Sequence, residues 1–284
     1  GKKDMPYVTS KEIIEEAKKG GYAVPALNAE NLEMVQAIID AAEETHSPVM
    51  IQTTPSTVKY LTLDEAYAMV HARAVNSKVP VCLHLDHCES FTDVMRAIKA
   101  GYSSVMIDAS KLPYEENIAV TRKVVEAAHA MDITVEAELG TVGGKEDGRK
   151  ADVAYTDPDQ AVDFAGRTGI DIFAVAIGTS HGFYKGEPRL DFDLLNEIAH
   201  RVELPLVLHG GSGIPDEMIQ KTIKFGICKV NFATELRAAA TAAVRESLTD
   251  DKIIDPKKYM GKAREAVKKL AIHKIKLCGS DNKI

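Results

Sequence analysis

The chain has 284 residues, of which 45% are hydrophobic, and it carries a formal net charge of −7 at pH 7 with a sequence pI of about 5.8. This hydrophobic content excludes wholesale disorder, and the acidic balance gives no basic surface for nucleic acid. No apolar run approaches the roughly 18 residues of a membrane helix, so we expect a cytoplasmic protein with no membrane association. The four cysteines form no C-x-x-C pair, which is typical of free, mostly buried thiols in a reducing compartment.

Short runs rich in β-branched residues alternate along the chain with longer amphipathic segments. The predicted strands are Ala23–Leu27, Val49–Thr53, Val81–Asp86, Ser104–Asp108, Thr134–Leu139, Ile172–Ile177, Leu206–His209 and Lys229–Phe232. The predicted helices are Ser10–Lys19, Leu32–Glu44, Leu63–Val75, Thr92–Ala100, Glu115–Ala130, Asp157–Arg167, Asp191–Arg201, Pro215–Phe225, Thr234–Leu248 and a C-terminal tail, Gly261–Leu277. Several helices follow capping residues, namely Ser90, Asp157 and Asp191.

Eight strand and helix repeats in a chain of this length predict a (β/α)8 TIM barrel. The main rival, a doubly wound open sheet, does not need eight such units, and no G-x-G-x-x-G follows the first predicted strand. In the barrel, the helix Ser10–Lys19 closes the bottom. No composition break, low-complexity linker or run of charge marks a boundary, so we expect a single barrel domain over residues 1–284.

The third predicted strand is apolar at its start and polar at its end. Alternation along a strand places Cys82, His84 and Asp86 on one face, and His87 falls at or just past the strand end. Buried polar groups must be paired or coordinated. The segment therefore indicates either histidines that only hydrogen-bond where a strand reaches solvent, or a functional site, and the other strand ends decide between these.

Histidines also follow two later strands. His181 lies in a glycine-containing loop after the sixth predicted strand, and His209 ends the seventh. In a TIM barrel they meet His87 at the carboxyl ends of the strands, where such barrels place their chemistry. A single histidine is more often an ordinary hydrogen-bonding residue, but three imidazoles at one level are the usual ligands of a catalytic zinc. We therefore predict a metal site, with His84 below it to orient the ligands.

Carboxylates and glycine turns occupy further strand ends. Glu136 and Glu138 share one face of the fifth strand, and the turn His209-Gly-Gly-Ser-Gly213 leads into a helix near Pro215. The last strand continues through Asn231 to Thr234. TIM barrels often bind phosphate after strands 7 and 8, with backbone N–H groups at turns and helix starts. Taken alone, each of these glycine-containing segments could also be a tight turn that needs glycine only for its backbone geometry and binds no ligand.

The segment from Gly140 to about Tyr155 shows no pattern of secondary structure. Loops of this length are usually functional or disordered. Its glycines permit a hinge, so Glu146 is either a base carried on a lid over the mouth or part of a solvated surface loop.

Six segments around these residues form a set: His84-Leu-Asp-His87, Ser104-Val-Met-Ile-Asp-Ala-Ser110, Val135-Glu-Ala-Glu-Leu-Gly140, Gly143-Gly-Lys-Glu-Asp-Gly148, Gly178-Thr-Ser-His-Gly182 and Leu208-His-Gly-Gly-Ser-Gly213. Together they resemble the class II, zinc-dependent ketose-bisphosphate aldolases, from about Tyr22 to the C-terminal tail. Within that family, three segments are most similar to the tagatose-1,6-bisphosphate branch, and related fructose-1,6-bisphosphate aldolases share much of them: Gly21-Tyr-Ala-Val-Pro-Ala, Thr54-Pro-Ser-Thr57 and Ile227-Cys-Lys-Val-Asn-Phe-Ala-Thr-Glu-Leu236.

The resemblance implies roles for individual residues. It assigns one Zn²⁺ per subunit to His87, His181 and His209. It makes Asp86 the acid/base at the C4 oxygen of the substrate and Glu146 the mobile-loop base at C1. The positions implied for an alternative metal site are Asp108 and Glu138. The implied substrate-binding residues are Asn28, Gly182, Gly210, Gly211, Ser212, Asn231, Phe232, Ala233 and Thr234.

The resemblance also implies a reaction and partners. The reaction is the reversible aldol cleavage of a ketohexose 1,6-bisphosphate, tagatose favoured over fructose, to dihydroxyacetone phosphate and glyceraldehyde 3-phosphate. A monovalent cation, Na⁺ or K⁺, belongs near Gly182 and the Gly210–Ser212 turn in some members. A homodimer or homotetramer is expected, with a helper subunit in some relatives. Phe232 stands where relatives often carry a smaller residue, and no residue matches the family's arginine for the second phosphate.

Four alternatives stay open at this point. An aldolase for another ketose phosphate, of the deoxygluconate or sulfo-sugar type, would use the same site. A zinc barrel hydrolase is disfavoured because the first strand has no histidine pair. A Schiff-base aldolase would use Lys229, although charge balance against Glu136, Glu138 or Asp108 is the simpler role for that side chain. A non-catalytic binding or chaperone-like barrel is disfavoured by the intact acidic and histidine positions.

Overall fold

The computed structural model describes residues 6–146 and 149–284, with the backbone alone described at 146 and 149–151. In chain order the strands are β1 (Val24–Asn28), β2 (Val49–Thr53), β3 (Val81–Cys88), β4 (Ser104–Ile107), β5 (Thr134–Leu139), β6 (Gly143–Glu146), β7 (Arg149–Ala151), β8 (Ile172–Val175), β9 (Ser180–His181), β10 (Leu206–Leu208) and β11 (Ile227–Phe232). The helices are α1 (Ser10–Gly20), α2 (Leu32–Glu44), α3 (Pro55–Leu61), α4 (Leu63–Ala74), α5 (Phe91–Ala100), α6 (Tyr114–His129), α7 (Pro158–Thr168), α8 (Phe192–Arg201), α9 (Asp216–Lys224), α10 (Thr234–Ser247) and α11 (Pro256–Leu277).

Eight strands close into a barrel in the order β1, β11, β10, β8, β5, β4, β3 and β2, and every neighbouring pair is parallel. The strands are buried on both faces because helices cover the outside. The predicted (β/α)8 TIM barrel is therefore confirmed. The barrel strands coincide with the predicted runs apart from shifts at their ends, such as the extension of β3 to Cys88 and the start of β11 at Ile227.

The predicted capping residues begin the helices that follow the mouth of the barrel. The side chains of Ser90, Asp157 and Asp191 accept hydrogen bonds from backbone N–H groups in the first turns of α5, α7 and α8. These caps satisfy N–H groups that have no partner within the helix. The caps also fix where each connecting loop ends.

α1 closes the bottom of the barrel, as predicted. Its residues Ile13, Ile14 and Ala17 are buried against the lower interior of the barrel, which includes Met50 and Ile172. Because α1 covers this end, a ligand can reach the barrel interior only from the opposite end, where the strands finish.

The structure contains secondary structure that the sequence analysis did not predict. The segment after β5, expected to be irregular, forms an antiparallel pair of β6 and β7, and β6 also pairs in parallel with β9. Helix α3 follows β2, and α11 begins at Pro256 rather than Gly261. These strands have four, three and two residues, and runs this short carry no alternating pattern that the sequence could reveal.

All four cysteines are free and buried, as predicted. In the described ranges, no helix is long and apolar enough to cross a membrane. The C-terminal helix α11 packs against α2 and α10 of the same chain.

Candidate active site

The predicted site residues lie at the carboxyl-terminal end of the barrel, and β3 supplies two consecutive ones. Neighbouring side chains in a regular strand point to opposite faces, so Asp86 and His87 need a local irregularity to face the mouth together. The register between β3 and β4 shifts between Leu85 and Cys88, and His87 has a backbone φ of 48°. This irregularity brings His87 Nε2 to 3.8 Å from Asp86 Oδ2.

Three histidines converge at the mouth. One side-chain nitrogen each of His87, His181 and His209 lies within 4.8 Å of the other two. The ring centroid of His87 lies 4.9 Å from that of His181 and 4.6 Å from that of His209. His181 comes from β9, outside the barrel, and is partly exposed, whereas the other two are buried.

Carboxylates hold the two buried rings by their outer nitrogens. His87 Nδ1 lies 2.8 Å from Asp108 Oδ2, and His209 Nε2 lies 2.7 Å from Glu136 Oε1. The inner nitrogens, His87 Nε2 and His209 Nδ1, face each other at 3.0 Å. If the outer nitrogens donate hydrogen bonds to the carboxylates, both inner nitrogens carry lone pairs, and these lone pairs repel each other at this distance. A cation bound by both nitrogens removes that repulsion.

The donor set fits a zinc ion. Three imidazole nitrogens are a common protein ligand set of catalytic zinc, and burial lowers the pKa of His209, which favours the neutral ring that binds metal. Asp86 Oδ1 and Glu138 Oε2 are buried and accept no hydrogen bond from any described residue. A divalent cation would balance this concentration of buried carboxylates.

Asp108 and Glu138, the predicted alternative metal ligands, differ in their surroundings. Burial opposes ionisation of Asp108, but hydrogen bonds from His87 and Ser110 outweigh it and hold its pKa below the ordinary value. Burial, and then the nearby charge of Asp108, raise the pKa of Glu138 well above the ordinary value. Asp108 thus serves as the partner of His87, while Glu138 Oε2 faces His209 Nδ1 at 3.3 Å.

Asp86 is held by an amide that the sequence analysis missed. Gln52 on β2 is fully buried, and its Nε2 donates to Asn28 Oδ1 at 2.8 Å and, in a longer contact, to Asp86 Oδ2 at 3.5 Å. A lone amide directly after the apolar run Val49–Ile51 was the only available signal. Asn28, a predicted binding residue, is therefore adjacent to the acid/base candidate.

The two predicted phosphate-binding turns pack against each other. The Gly211 N–H donates to the Asn231 carbonyl oxygen at 2.9 Å, and Ser212 Oγ accepts from the Ala233 N–H at 3.3 Å. The side-chain amide of Asn231 is buried and makes no hydrogen bond to any residue in the described ranges. Both its donor and its acceptor are thus available to a ligand at the mouth.

The other predicted binding residues fall around these turns. Gly182 follows β9, and Thr234 begins α10. Gly210 has a φ of 65°, and a Cβ there would lie 2.6 Å from the backbone oxygen of Ser180, so only glycine fits this approach. Phe232 is buried in the outer core, which commits its side chain to packing.

Glu146 ends β6, and its side chain lies outside the described residues, as do residues 147 and 148. The backbone of β6 pairs Gly143 with Ser180 and Gly144 with His181. The segment predicted to be a lid is therefore joined by its backbone to the strand that carries one histidine of the site.

Lys229 points into the barrel and forms a buried ion pair, with its Nζ 2.7 Å from Glu136 Oε2. Both side chains are fully buried. The predicted charge balance against Glu136 is confirmed. A Schiff-base nucleophile must be a neutral, accessible amine, and this ion pair disfavours both conditions.

Comparison with known proteins agrees with this geometry. Residues 8–283 match the family described as fructose-bisphosphate aldolase class-II. A fructose-bisphosphate aldolase of Staphylococcus aureus is 47% identical over 286 aligned positions, covering 98% of this chain and 99% of that protein. Among solved structures, the YdjI aldolase of Escherichia coli K12 has a TM-score of 0.88 and 40% identity, covering 98% of this chain and 99% of that one. A putative fructose-1,6-biphosphate aldolase of Coccidioides immitis has a TM-score of 0.90 and 29% identity, covering 99% and 98%.

The barrel, the histidine cluster at its mouth and these matches define an aldolase, a carbon–carbon lyase. The chain belongs to the class II fructose-bisphosphate aldolase family. The family resemblance inferred from the sequence motifs is therefore confirmed. Members of this family depend on zinc, which agrees with the donor set at the mouth.

Proposed function

We propose that this protein cleaves a ketohexose 1,6-bisphosphate reversibly to dihydroxyacetone phosphate and glyceraldehyde 3-phosphate, with one Zn²⁺ per subunit held by His87, His181 and His209. The observation that carries this proposal is the convergence of one nitrogen from each histidine within 4.8 Å. Two of these nitrogens already face each other because carboxylates bind the opposite sides of their rings. We take residues 1–284 to form one barrel domain.

Bound zinc supplies Lewis-acid polarisation of the ketose carbonyl. Asp86 takes the proton from the C4 hydroxyl during cleavage and returns it during condensation, as a general base and acid. Its position is supported by Gln52, which also holds Asn28 beside the substrate. Glu146 exchanges the proton at C1 from the segment joined to His181. Asp108 orients His87, and the Glu138 oxygen that faces His209 offers an alternative metal position.

The ketose phosphate is proposed to bind between the two turns that pack against each other. Gly182, Gly210, Gly211 and Ser212 line one side, and the segment Asn231, Phe232, Ala233 and Thr234 lines the other. Anchoring the phosphate fixes the reacting carbon relative to Asp86, which turns a bimolecular encounter into an oriented one. A monovalent cation, Na⁺ or K⁺, near Gly182 and the Gly210–Ser212 turn would strengthen the same anchor.

The preferred sugar is proposed from the sequence motifs. Segments such as Thr54-Pro-Ser-Thr57 are most similar to the tagatose-1,6-bisphosphate branch. The second candidate is fructose 1,6-bisphosphate, which is favoured by the names of the Staphylococcus relatives. We also propose a cytoplasmic homodimer or homotetramer, with or without a helper subunit.

The decisive experiment measures dihydroxyacetone phosphate release from tagatose 1,6-bisphosphate and fructose 1,6-bisphosphate in parallel, before chelation, after chelation and after zinc is added back. Release that is lost on chelation and restored by zinc supports the metal aldolase, and the ratio of the two rates selects the sugar. Release that survives chelation contradicts the zinc proposal. No release from either sugar contradicts the substrate proposal and directs the search to deoxygluconate-type or sulfo-sugar ketose phosphates.

A further inference from the structure

Below the histidine cluster, the barrel interior contains a chain of polar side chains that the proposed reaction does not use. Ser10 Oγ of α1 lies 2.7 Å from Ser104 Oγ, which lies 2.6 Å from His84 Nδ1. His84 Nε2 is 3.3 Å from Glu136 Oε2. Glu136 then contacts Lys229 Nζ with one oxygen and His209 Nε2 with the other. This interior column therefore runs from the bottom plug to a histidine of the site.

The column is too unfavourable to be explained by stability. Ser10, Ser104, His84, Glu136 and Lys229 are all fully buried. A buried ion pair loses hydration that its mutual attraction seldom exceeds, and apolar residues of similar volume are often at least as stable. The upper interior could therefore have been filled with the aliphatic residues that fill the lower interior. A specific geometric role accounts for its polar residues.

Glu136 makes a contact that sets the proton position on His209. A carboxylate can only accept, so the His209 nitrogen at 2.7 Å from Glu136 Oε1 has to be the donor. The proton therefore resides on Nε2, and Nδ1 carries the lone pair toward His87 and Glu138. A neutral imidazole without this contact has both tautomers available, and one of them points an N–H at the cluster.

Lys229 fixes Glu136. Its ammonium occupies Oε2 at 2.7 Å, which leaves Oε1 for His209 and defines the orientation of the carboxylate plane. One atom each of His84, Asp86 and Glu136 also lies within 4.8 Å of the others, an arrangement that resembles a second metal site. The ammonium of Lys229 already supplies a positive charge to Glu136 there. In the group of His84, Asp86 and Glu136, the Lys229 ammonium therefore takes the place that a metal ion would have.

We propose that Glu136 is a positioning residue that selects the Nε2-protonated tautomer of His209 and aims its Nδ1 at the metal, and that Lys229 holds Glu136 in that orientation. This inference rests on the proposed metal role of His209. The geometry makes a specific prediction for Glu136→Gln. The amide oxygen will turn to the Lys229 ammonium and the amide NH₂ to His209, which reverses the tautomer and places a proton on Nδ1.

The test compares wild type, Glu136→Gln, Lys229→Met and the double variant, with Ser10→Ala as a matched control in the same column. Two quantities are measured: the zinc dissociation constant by competition with a chromophoric chelator, and the tautomer of His209 by long-range ¹H–¹⁵N NMR of metal-free protein labelled in histidine. The His209 signals are assigned by their loss in His209→Ala. Thermal unfolding followed by circular dichroism reports folding.

In Glu136→Gln we expect zinc affinity to fall about 10- to 100-fold and His209 to carry its proton on Nδ1. The double variant removes the ammonium that turns the amide, so we expect the Nε2-protonated tautomer and part of the affinity to return. Ser10→Ala should match wild type in both measurements. A purely structural role would leave the tautomer unchanged and would not give recovery in the double variant.

An unchanged zinc dissociation constant and an unchanged His209 tautomer in Glu136→Gln would overturn the inference. If the single variant does not fold, the double variant, which lacks the unpaired ammonium, decides by its zinc dissociation constant. A weakened constant supports the inference, and a wild-type constant would show that the Glu136 carboxylate is not needed. Failure of the underlying metal proposal is separate, because wild type would then bind no zinc or His209→Ala would retain it.

Discussion

The candidate site has two halves with different supports. The strand-borne half comprises Asp86, His87 and His209. These side chains are buried, and the two histidines bind the carboxylates of Asp108, directly after β4, and Glu136 of β5. The loop-borne half, His181 and the β6–β7 pair that carries Glu146, lies in a three-stranded sheet outside the barrel. His181 is partly exposed, whereas His87 and His209 are buried.

The difference in support suits different tasks: the strand-borne half holds its side chains in fixed positions, and the loop-borne half can change its position. Residues that ligate or exchange protons within a small distance benefit from rigid elements and bonded supports. A segment that admits substrate and then contacts it must open locally, and such segments belong to the low-stability part of a fold. Because β6 pairs with β9, the proposed lid movement of the Glu146 segment would act on the strand that carries His181.

The largest expected effect comes from His209→Ala in the strand-borne half. The change removes one of three imidazole ligands and leaves the Glu136–Lys229 ion pair intact, so we expect a folded barrel that has lost bound zinc and aldol cleavage. Metal content by atomic absorption and the coupled aldolase assay check this, with the exposed His46→Ala as control. Stoichiometric zinc with full turnover in His209→Ala would show the ligand assignment to be wrong.

Asp86→Asn should separate chemistry from metal binding. The amide keeps the size of the side chain but cannot accept the C4 proton, so we expect kcat to fall about 10²- to 10⁴-fold while zinc remains bound. The exposed carboxylate Asp93 provides the control variant, Asp93→Asn. If kcat of Asp86→Asn stayed within a few-fold of wild type, another group would be the acid/base.

Gly144→Ala tests the loop-borne half without changing any ligand. Gly144 has a φ of 89°, and a Cβ there would lie 2.2 Å from the backbone oxygen of His181. The added methyl group must separate β6 from β9, and a displacement of about 1 Å near the reacting groups can reduce turnover on the order of 10²-fold. We expect global stability to change by less than about 1 kcal/mol, because the strands lie outside the barrel and can open locally.

Gly186→Ala is the matched control for this experiment, since a Cβ at Gly186 meets nothing within 4 Å in the described structure. Equal turnover of the two alanine variants would mean that the β6–β9 pairing does not contribute to catalysis. A large loss of thermal stability in Gly144→Ala alone would mean that the two halves unfold together.

The same contrast explains what could be predicted from the sequence. The strand-borne half could be predicted from the sequence because buried strands appear as apolar runs and because the strand ends of a barrel lie at one edge. His87 was located at the strand end, but the shift in register that turns it beside Asp86 depends on pairing with β4. Glu136 was recognised as a balance for Lys229, whereas its contact with His209 requires the distance between two strands.

The loop-borne half could be predicted only in part. Gly178-Thr-Ser-His-Gly182 marked His181, but nothing in that segment indicates a strand. The strands β6, β7 and β9 have four, three and two residues and pair with each other outside the barrel. Runs this short give no periodic signal in the sequence. Gln52 was overlooked for a related reason, because one amide in an apolar strand becomes informative only when Asp86 is seen beside it.

The smallest expected effect is for Tyr184→Phe, which tests whether the two halves are coupled through the phosphate-binding turns. The Tyr184 hydroxyl accepts from the Ser180 N–H at 2.8 Å and donates to the Gly210 carbonyl oxygen at 3.0 Å, so it links β9 to the turn after β10. Each such hydrogen bond contributes about 1 kcal/mol, so we expect KM to rise a few-fold with kcat within about twofold. The exposed Tyr60→Phe serves as control. A fall in kcat with unchanged KM would show that Tyr184 supports His181 and the reacting groups. The strand-borne and loop-borne halves of the site would then act as one coupled unit.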